Sequence, residues 1–529
     1  MCGIVCLIQY SSNPIDPNLI ASCLDKLSAR GPDKSSSHII DLGVTKIFMG
    51  FTRLAIMDTS VLGQQPFVDN PCSGRGNTVI CNGEIYNYKD LIKKYNIITN
   101  SSCDCEVILP LYKQIGFDEM TMEIDAEFAM VLYDAHKNII YAARDKFGVR
   151  PLYYGYNKEK RMIGFASEMK VLHDCMEFVD HVNPNEIMTI NPYDFRIDID
   201  EYDYVYSMHD GFSDIKELLI SAVRKRLSSD VPIGFLLSGG LDSSLIVSIA
   251  AGILGPDNIT CFSIGLEGSP DIEAAKKVVE YLGIIKHHII PFTINEGLAM
   301  IPDVIKSIES YDITTIRAST PQYIMANYIK KNTNIKVLLS GEGSDEIHGS
   351  YKYFRNAPSP EDFHKERTRL LEELYMFDNL RTDRTMAHFG LEVRVPFLDI
   401  DYVTYVMGID PSLLMYSVDC IEKKIVRDRF KGYLPDEILY RPKEAFSDAV
   451  SNAQVNWYHS IIEYANQQEY HNEFYINKPE SKEALYYRTI FDKIYPGRDN
   501  IIKHYWMPRF QNTKITDPSA TILNEHGSC

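Results

Sequence analysis

The sequence predicts a chain of two α/β-type domains: strands and turns first, then strands alternating with helices around a parallel sheet. Three observations carry this. The chain has 529 residues, more than one hydrophobic core usually organises. Short apolar runs alternate with helical stretches from about residue 213 onward, the pattern of a parallel sheet with its ligand at the C-terminal strand ends. Between two such runs stands Ser238-Gly239-Gly240-Leu241-Asp242-Ser243-Ser244, a glycine turn from strand into helix.

In chain order, Cys2 comes first, directly after Met1. If Met1 is removed, Cys2 carries a free α-amine beside its own thiol, so nucleophile and base reside in one residue. Taken by position alone, Cys2 reads rather as a buried thiol in an edge strand, CGIVCLI. Its neighbours change that balance. They are Arg30 to Asp33 (RGPD), Arg53 to Asp58 (RLAIMD), Asn82 to Asn87 (NGEIYN), Asp104 to Glu106 (DCE), and Arg144 to Tyr153 (RDKFGVRPLY). A thiolate attacking a side-chain amide needs an oxyanion hole, and an Asn amide plus the next Gly N–H offers two donors. Arg53 is the residue type to grip an α-carboxylate, and Asp104 the type to hold an α-ammonium.

These strings in this order resemble the class II glutamine amidotransferase domain, an N-terminal-nucleophile hydrolase with an αββα sandwich. The resemblance implies Cys2 as nucleophile and Asn82 with Gly83 as the oxyanion hole. It also implies that glutamine is bound by Arg53, Leu54, Ala55, Ile56, Met57, Asn82, Gly83, Glu84 and Asp104. Residues 2–200 are expected to form this domain. The acidic, tyrosine-rich DIDEYDYVYSMHD follows, and residues 201–212 are expected to be a linker.

In the second domain Ser213 is placed to cap a helix bearing Ile215, Leu218, Leu219, Ala222, Val223 and Leu227 at helical spacing. The run Val231–Leu237 then reads as a strand and Leu245–Leu254 as a buried helix, with the glycine turn between them. Such a junction gathers backbone N–H groups and a helix dipole at one spot, an anion site. The loop lacks the Gly-Lys-[Ser/Thr] of a Walker A motif and instead carries Asp242. A carboxylate beside phosphates requires Mg²⁺ between them. Alone, the string could be an ordinary Ser/Gly surface turn; its strand and helix flanks argue for a pyrophosphate site. It resembles the PP-loop of the ATP pyrophosphatase family, which implies ATP cut between its α and β phosphates.

Further strands are expected at Ile259–Leu266, Ile284–Phe292 and Lys336–Leu339, the last ending in Ser340-Gly341-Glu342-Gly343-Ser344-Asp345-Glu346. Two strand ends delivering Gly, Ser and acids to one crevice fit one Mg·ATP, with Asp242 and Asp345 reaching the metal through the pyrophosphate. Arg317 (TTIRASTP) and Lys443 (RPKEAFSD) are candidate cations for the phosphates, although a random Arg or Lys is usually a solvated charge. The run SGGLDSS, IGLEGSPD, TTIRASTP, LSGEGSDE, EVRVPFLD, RPKEAFSD resembles the synthetase domain of glutamine-hydrolysing asparagine synthetases, over residues 213–520. Residues 521–529 then read as a tail.

The resemblance implies a carbon–nitrogen ligase with glutamine as amido-nitrogen donor. Aspartate would attack ATP to give β-aspartyl-AMP and pyrophosphate. Ammonia from glutamine, travelling inside the protein, would then displace AMP and give asparagine. It implies nucleotide contacts at Leu236, Ser238, Gly239, Gly240, Asp242, Ser243, Ser244, Ile264, Ser340 and Gly341. Catalytic roles fall to Glu342, Arg317 and Lys443. Mg²⁺ enters with ATP as substrate, and no prosthetic group is expected. Two positions depart from the family pattern: Ser350 and Ala449 stand where glycine is usual. A lost glycine at a positive φ would strain either loop.

Composition narrows the alternatives. A net charge of −18 argues against nucleic acid. No apolar run is long enough to span a membrane, and the first residues lack a basic signal-peptide region. Eleven cysteines, scattered and without paired C-x-x-C spacing, favour reduced thiols and a cytoplasmic setting. A homodimer is compatible with this reading. Amidotransferases that build amino sugars or purines carry no SGGLDSS loop in the second domain. Relatives that close a β-lactam ring lack the N-terminal Cys. A catalytically dead binding protein would not need these motifs intact.

Overall fold

A computed structural model describes every residue except 70–75, 203–205, 418–419, 443–450, 453–454, 471–472, 511–517 and 519–529. The chain forms two compact units. The first comprises Met1–Tyr204 with Ser228–Val231 and Ala387–Glu392; the second comprises Val205–Leu227, Pro232–Met386 and Val393–Cys529.

The first unit is a sandwich of two six-stranded sheets. One sheet runs, in spatial order, Phe178–His181, Tyr153–Asn157, Met162–Ala166, Gly3–Tyr10, Thr45–Arg53, Lys34–Asp41. The other runs Ile197–Glu201, Glu186–Ile190, Ile139–Arg144, Ala126–Asp134, Thr78–Ile85, Phe67–Val68. Every pairing between these strands is antiparallel. Side chains alternate, so Ile4, Cys6 and Ile8 meet Ile80, Val131 and Ala142 across the sandwich. Val5 and Leu7 point the other way yet are equally buried, because the helices Pro17–Leu27 and Met169–His173 lie on that side. That is why the strand reads as a continuous apolar run rather than an alternating one. The expected αββα sandwich is therefore observed.

The second unit is built on a five-stranded sheet in the order Lys286–Pro291, Thr260–Gly265, Ile233–Leu236, Val337–Leu339, Glu392–Arg394. The first four pair in parallel. Each expected strand is present with its ends trimmed. The helix after the glycine turn spans Leu241–Leu254, one turn earlier than expected, with ten of its residues buried. It is apolar all round because it lies within the unit, not on its surface. The helix before it spans Ile215–Arg226 with Asp214, not Ser213, at the cap position, and no side chain caps it. Among the described residues no helix is long and apolar enough to cross a membrane.

Candidate active sites

In the first unit the neighbouring strands Gly3–Tyr10 and Thr45–Arg53 both touch Thr78–Ile85 across the sandwich. Their ends deliver Cys2, the Arg53–Met57 segment and the Asn82–Glu84 segment. The Cys2 thiol lies 3.7 Å from the Leu54 carbonyl. Burial raises its pKa to about 11, so the thiol is protonated and needs a base. The chain's α-amine here belongs to Met1; it is buried and donates to the Leu391 carbonyl at 3.2 Å. Burial lowers that amine to about 5, which makes it a neutral base at pH 7. Arg30, in the RGPD string, holds the backbone of Cys2 through Nε to the Cys2 carbonyl at 2.8 Å.

Asn82 is buried, and its Nδ2 has no hydrogen-bond partner among the described residues. A donor left orphaned in a packed sheet costs roughly 1–3 kcal/mol. It is the arrangement expected of a group waiting for an oxyanion. A Cβ on Gly83 would lie 2.6 Å from the Glu127 carbonyl oxygen and 2.8 Å from Phe128 Cα, so only glycine fits. Asp104 is buried and accepts from the Ile85 N–H at 2.7 Å. The thiols of Cys103 and Cys105 flank its carboxylate at 3.8 and 3.5 Å.

Arg53 does not stand open. Its guanidinium donates to the carbonyls of Met57 at 3.4 Å, Ser60 at 2.5 Å and Asp58. It thereby folds Leu54, Ala55, Ile56 and Met57 into a buried loop, which Asp33 secures by accepting from the Ala55 N–H at 2.7 Å. Asp58 accepts from the Ser102 N–H at 3.0 Å, and Cys105 donates to the Gly83 carbonyl at 3.6 Å. Glu84 is buried in the same strand. The sequence-predicted glutamine residues thus converge on one place.

In the second unit the two Gly-Ser loops line one cavity of about 240 Å³. Gly239 adopts φ +77°, and a Cβ there would lie 2.6 Å from Ala275 N and from the Asp271 carbonyl oxygen, so the turn leans directly on the next helix. The Ser238 and Ser243 hydroxyls meet at 2.9 Å, while Ser244 Oγ is buried without a partner among the described residues. A Cβ on Gly341 would approach Ser243 N to 3.0 Å, which shows how closely the loops abut. Leu236, Gly240, Ile264 and Ser340 also line the cavity.

The residue that sequence reasoning missed is Lys423. Its ammonium, 2% exposed, lies 2.8 and 2.7 Å from the two carboxylate oxygens of Asp242 and 2.7 Å from Asp345. Ser344 Oγ adds a hydrogen bond to Asp242 at 2.7 Å. Two carboxylates on different loops therefore converge on one cation. No local signal in IEKKIVRD marks this lysine, because it meets its partners only through the fold.

Glu342 accepts from Gln322 at 3.3 Å and from Arg381 at 2.8 Å, and Arg381 also pairs with Asp378 at 2.7 Å. Glu346 is buried beside them; burial, with the Asp378 and Asp345 charges, pushes its carboxyl up to about 8. The Tyr351 hydroxyl donates to it. Arg317 lines the cavity, but its Nε and Nη2 grip Glu483 at 2.8 and 2.6 Å, and Tyr487 donates to the same carboxylate at 2.9 Å. Lys443 and Ala449 lie outside the described residues, as does the proposed tail 521–529.

Comparison with known proteins bears on both units. Residues 1–212 match the glutamine amidotransferase domain family, and residues 214–365 and 355–514 match asparagine synthase. A "probable asparagine synthetase [glutamine-hydrolyzing]" from Acanthamoeba polyphaga mimivirus is 59% identical over 99% of this chain and 100% of its own length. The chain belongs to the glutamine-hydrolysing asparagine synthetase family. Asparagine synthetases [glutamine-hydrolyzing] of Gallus gallus and Cricetulus griseus are each 38% identical over 100% of this chain and 99% of theirs.

Ser350 departs from the family pattern at little cost. The left-handed position is Gly349, at φ +61°, while Ser350 has no positive φ. Its N–H donates to the Asp345 carbonyl at 3.0 Å and its hydroxyl to the Asp345 carboxylate, so the serine helps hold that synthetase loop.

Proposed function

We propose that the chain makes L-asparagine from L-aspartate, ATP and glutamine-derived ammonia, releasing AMP, pyrophosphate and glutamate. In the first unit the Cys2 thiol attacks the glutamine side-chain carbonyl. Its proton passes to the α-amine that Cys2 itself carries once Met1 is gone. The orphaned Asn82 amide and the Gly83 N–H receive the oxyanion. Ammonia leaves, and water hydrolyses the thioester to glutamate. Asp104 and Glu84 would hold the glutamine α-ammonium, while Arg53 acts by shaping the loop around the substrate.

In the second unit ATP would lie between the two loops. Ser238 to Ser244 hold its pyrophosphate, Ser340 and Gly341 back the nucleotide, and Leu236 and Ile264 cover the base. Asp242 and Asp345 would hold a Mg²⁺ that enters on the pyrophosphate, beside the Lys423 ammonium. An aspartate β-carboxylate oxygen attacks the α-phosphorus, and pyrophosphate departs. Ammonia then attacks the acyl carbon, and AMP departs with the former carboxylate oxygen. Glu342 serves that second step, and Arg317 and Lys443 steady the phosphates. Glu342, Glu346 and Asp378 against one guanidinium, Arg381, make a wall suited to an α-ammonium and an α-carboxylate.

The observation that carries the proposal is the convergence of Asp242 and Asp345 from separate loops on one buried cation. The proposal includes functional domains at 2–200 and 213–520, a linker at 201–212 and a cytoplasmic setting, and it allows a homodimer. It is tested by giving purified protein aspartate and Mg·ATP with either glutamine or an ammonium salt. Asparagine with equimolar AMP in both reactions, and loss of only the glutamine reaction in Cys2→Ala, is expected. Glutamate without AMP would sink the aspartate assignment.

A further inference from the structure

One wall of the second cavity is aromatic and has no part in the chemistry above. Trp506 lines it together with Tyr351 and Phe377, around the polar group Glu346, Asp378 and Arg381. Trp506 comes from the last described stretch of the chain, and its place is fixed from two directions. Its backbone N–H donates to Asp312 Oδ1 at 2.8 Å. The other oxygen of that buried carboxylate caps the helix Ile313–Asn332, accepting from the Thr315 N–H at 2.9 Å. The indole packs on Tyr375, Met376 and Phe377. It also stands edge-on to Tyr351, centroids 5.9 Å apart at 64°, and to Tyr353 at 6.3 Å. Tyr351 is itself held by its hydroxyl on Glu346.

We propose that Trp506 is the wall that sets the length of the acid the synthetase cavity accepts, admitting aspartate and excluding acids one methylene longer. This rests on the reading of the cavity as the aspartate and ATP site. The reacting carboxylate is pinned where the α-phosphorus lies, between the two loops. The α-ammonium and α-carboxylate therefore end up at a distance fixed by the acid's own chain. In aspartate they reach Arg381, Asp378 and Glu346. One more methylene carries the α-carbon past those groups toward the indole. That ring is backed by Tyr375, Met376 and Phe377, stands against Tyr351, and has its backbone tied to a helix cap. One methylene against a rigid apolar wall discriminates by about 10–200-fold.

The test measures acid-dependent release of AMP and pyrophosphate by full-length protein given Mg·ATP, ammonium, and either L-aspartate or L-glutamate. Variants are Trp506→Ala and the milder Trp506→Phe, with Cys2-dependent glutaminase activity as the folding control. The expected result is a fall of about tenfold or more in the aspartate-to-glutamate ratio of kcat/KM in Trp506→Ala. The ATP KM should move little, and Trp506→Phe should lie nearer the wild type. An unchanged ratio in both variants overturns the proposal. So does a parallel loss with both acids, which would make the ring merely structural. If the wild-type chain forms no aspartate-dependent AMP, the reading of the cavity itself falls, and the wall with it.

Discussion

The Lys423 ammonium chelates Asp242, lying 2.8 and 2.7 Å from its two carboxylate oxygens, and ties that residue to Asp345 on the neighbouring loop at 2.7 Å. Without a cation there, these two half-buried carboxylates would repel one another between the loops. Removing one partner of a buried ion pair costs roughly 3–5 kcal/mol. Lys423→Met should therefore lower the unfolding midpoint of the second unit, and MgCl₂ without nucleotide should recover part of the loss. Calorimetry with and without Mg²⁺ checks this; a midpoint equal to wild type would show that the bridge does not stabilise the loops.

If Asn82 and Gly83 form the proposed oxyanion hole, the Nδ2 of Asn82, unpartnered among the described residues, gains its partner when the oxyanion forms. Asn82→Ala should reduce glutaminase kcat by about 10²–10³-fold, the usual worth of one oxyanion-hole donor. Ammonium-dependent asparagine synthesis should be unaffected. A loss of both activities together would point to a damaged fold instead.

Arg317 meets the cavity already paired in bidentate fashion with Glu483, a residue 166 positions along the chain. Glu483→Ala would leave a buried guanidinium without its carboxylate, at a cost of roughly 3–5 kcal/mol. Arg317→Lys would lose the planar fork that fits Glu483. Both variants should lose synthetase activity by tenfold or more (~1.4 kcal/mol per decade) while keeping glutaminase activity, as measured by AMP and glutamate release. Retention of full synthetase rates would mean that the pair is dispensable.

His287 Nε2 lies 2.8 Å from Ser263 Oγ, and that hydroxyl in turn donates to the Leu237 carbonyl at the entry to the phosphate loop. Burial, with His288 and Lys276 nearby, lowers the His287 pKa from 6.5 to about 4. The unfolded chain therefore takes up this proton at a higher pH than the folded one. The associated stability is present above about pH 6.5 and is lost as pH falls toward about 4. His287→Gln should flatten that part of the stability curve. Unfolding midpoints across the window test it, and an unchanged slope would contradict it.

Much of the fold and of both sites could be read from the chain, and the residues that could be read share one property. Asn82 with Gly83, Ser238 to Ser244, and Ser340 to Glu346 are contiguous strings, so they stand out in the sequence and take their proposed roles from residue type and family resemblance. Lys423, Arg381, Glu483 and Trp506 act through partners far away in sequence, and an isolated Lys or Trp carries no local mark of what it meets. Arg53 shows a second limit: its residue type suggests a grip on substrate, but only the fold shows that its guanidinium also binds three loop carbonyls. At position 350 the condition for strain is not met, since the left-handed turn is supplied by Gly349.

The most direct test of the central claim follows an oxygen atom. Aspartate labelled with ¹⁸O in its β-carboxylate is given to the enzyme with Mg·ATP and ammonium, and the nucleotide product is weighed by mass spectrometry. If the β-carboxylate attacks the α-phosphorus between the Asp242 and Asp345 loops, AMP carries one ¹⁸O for each asparagine formed, and pyrophosphate carries none. Unlabelled AMP, or label in a released phosphate alongside ADP, would contradict an aspartyl-adenylate and with it the assignment of this cavity.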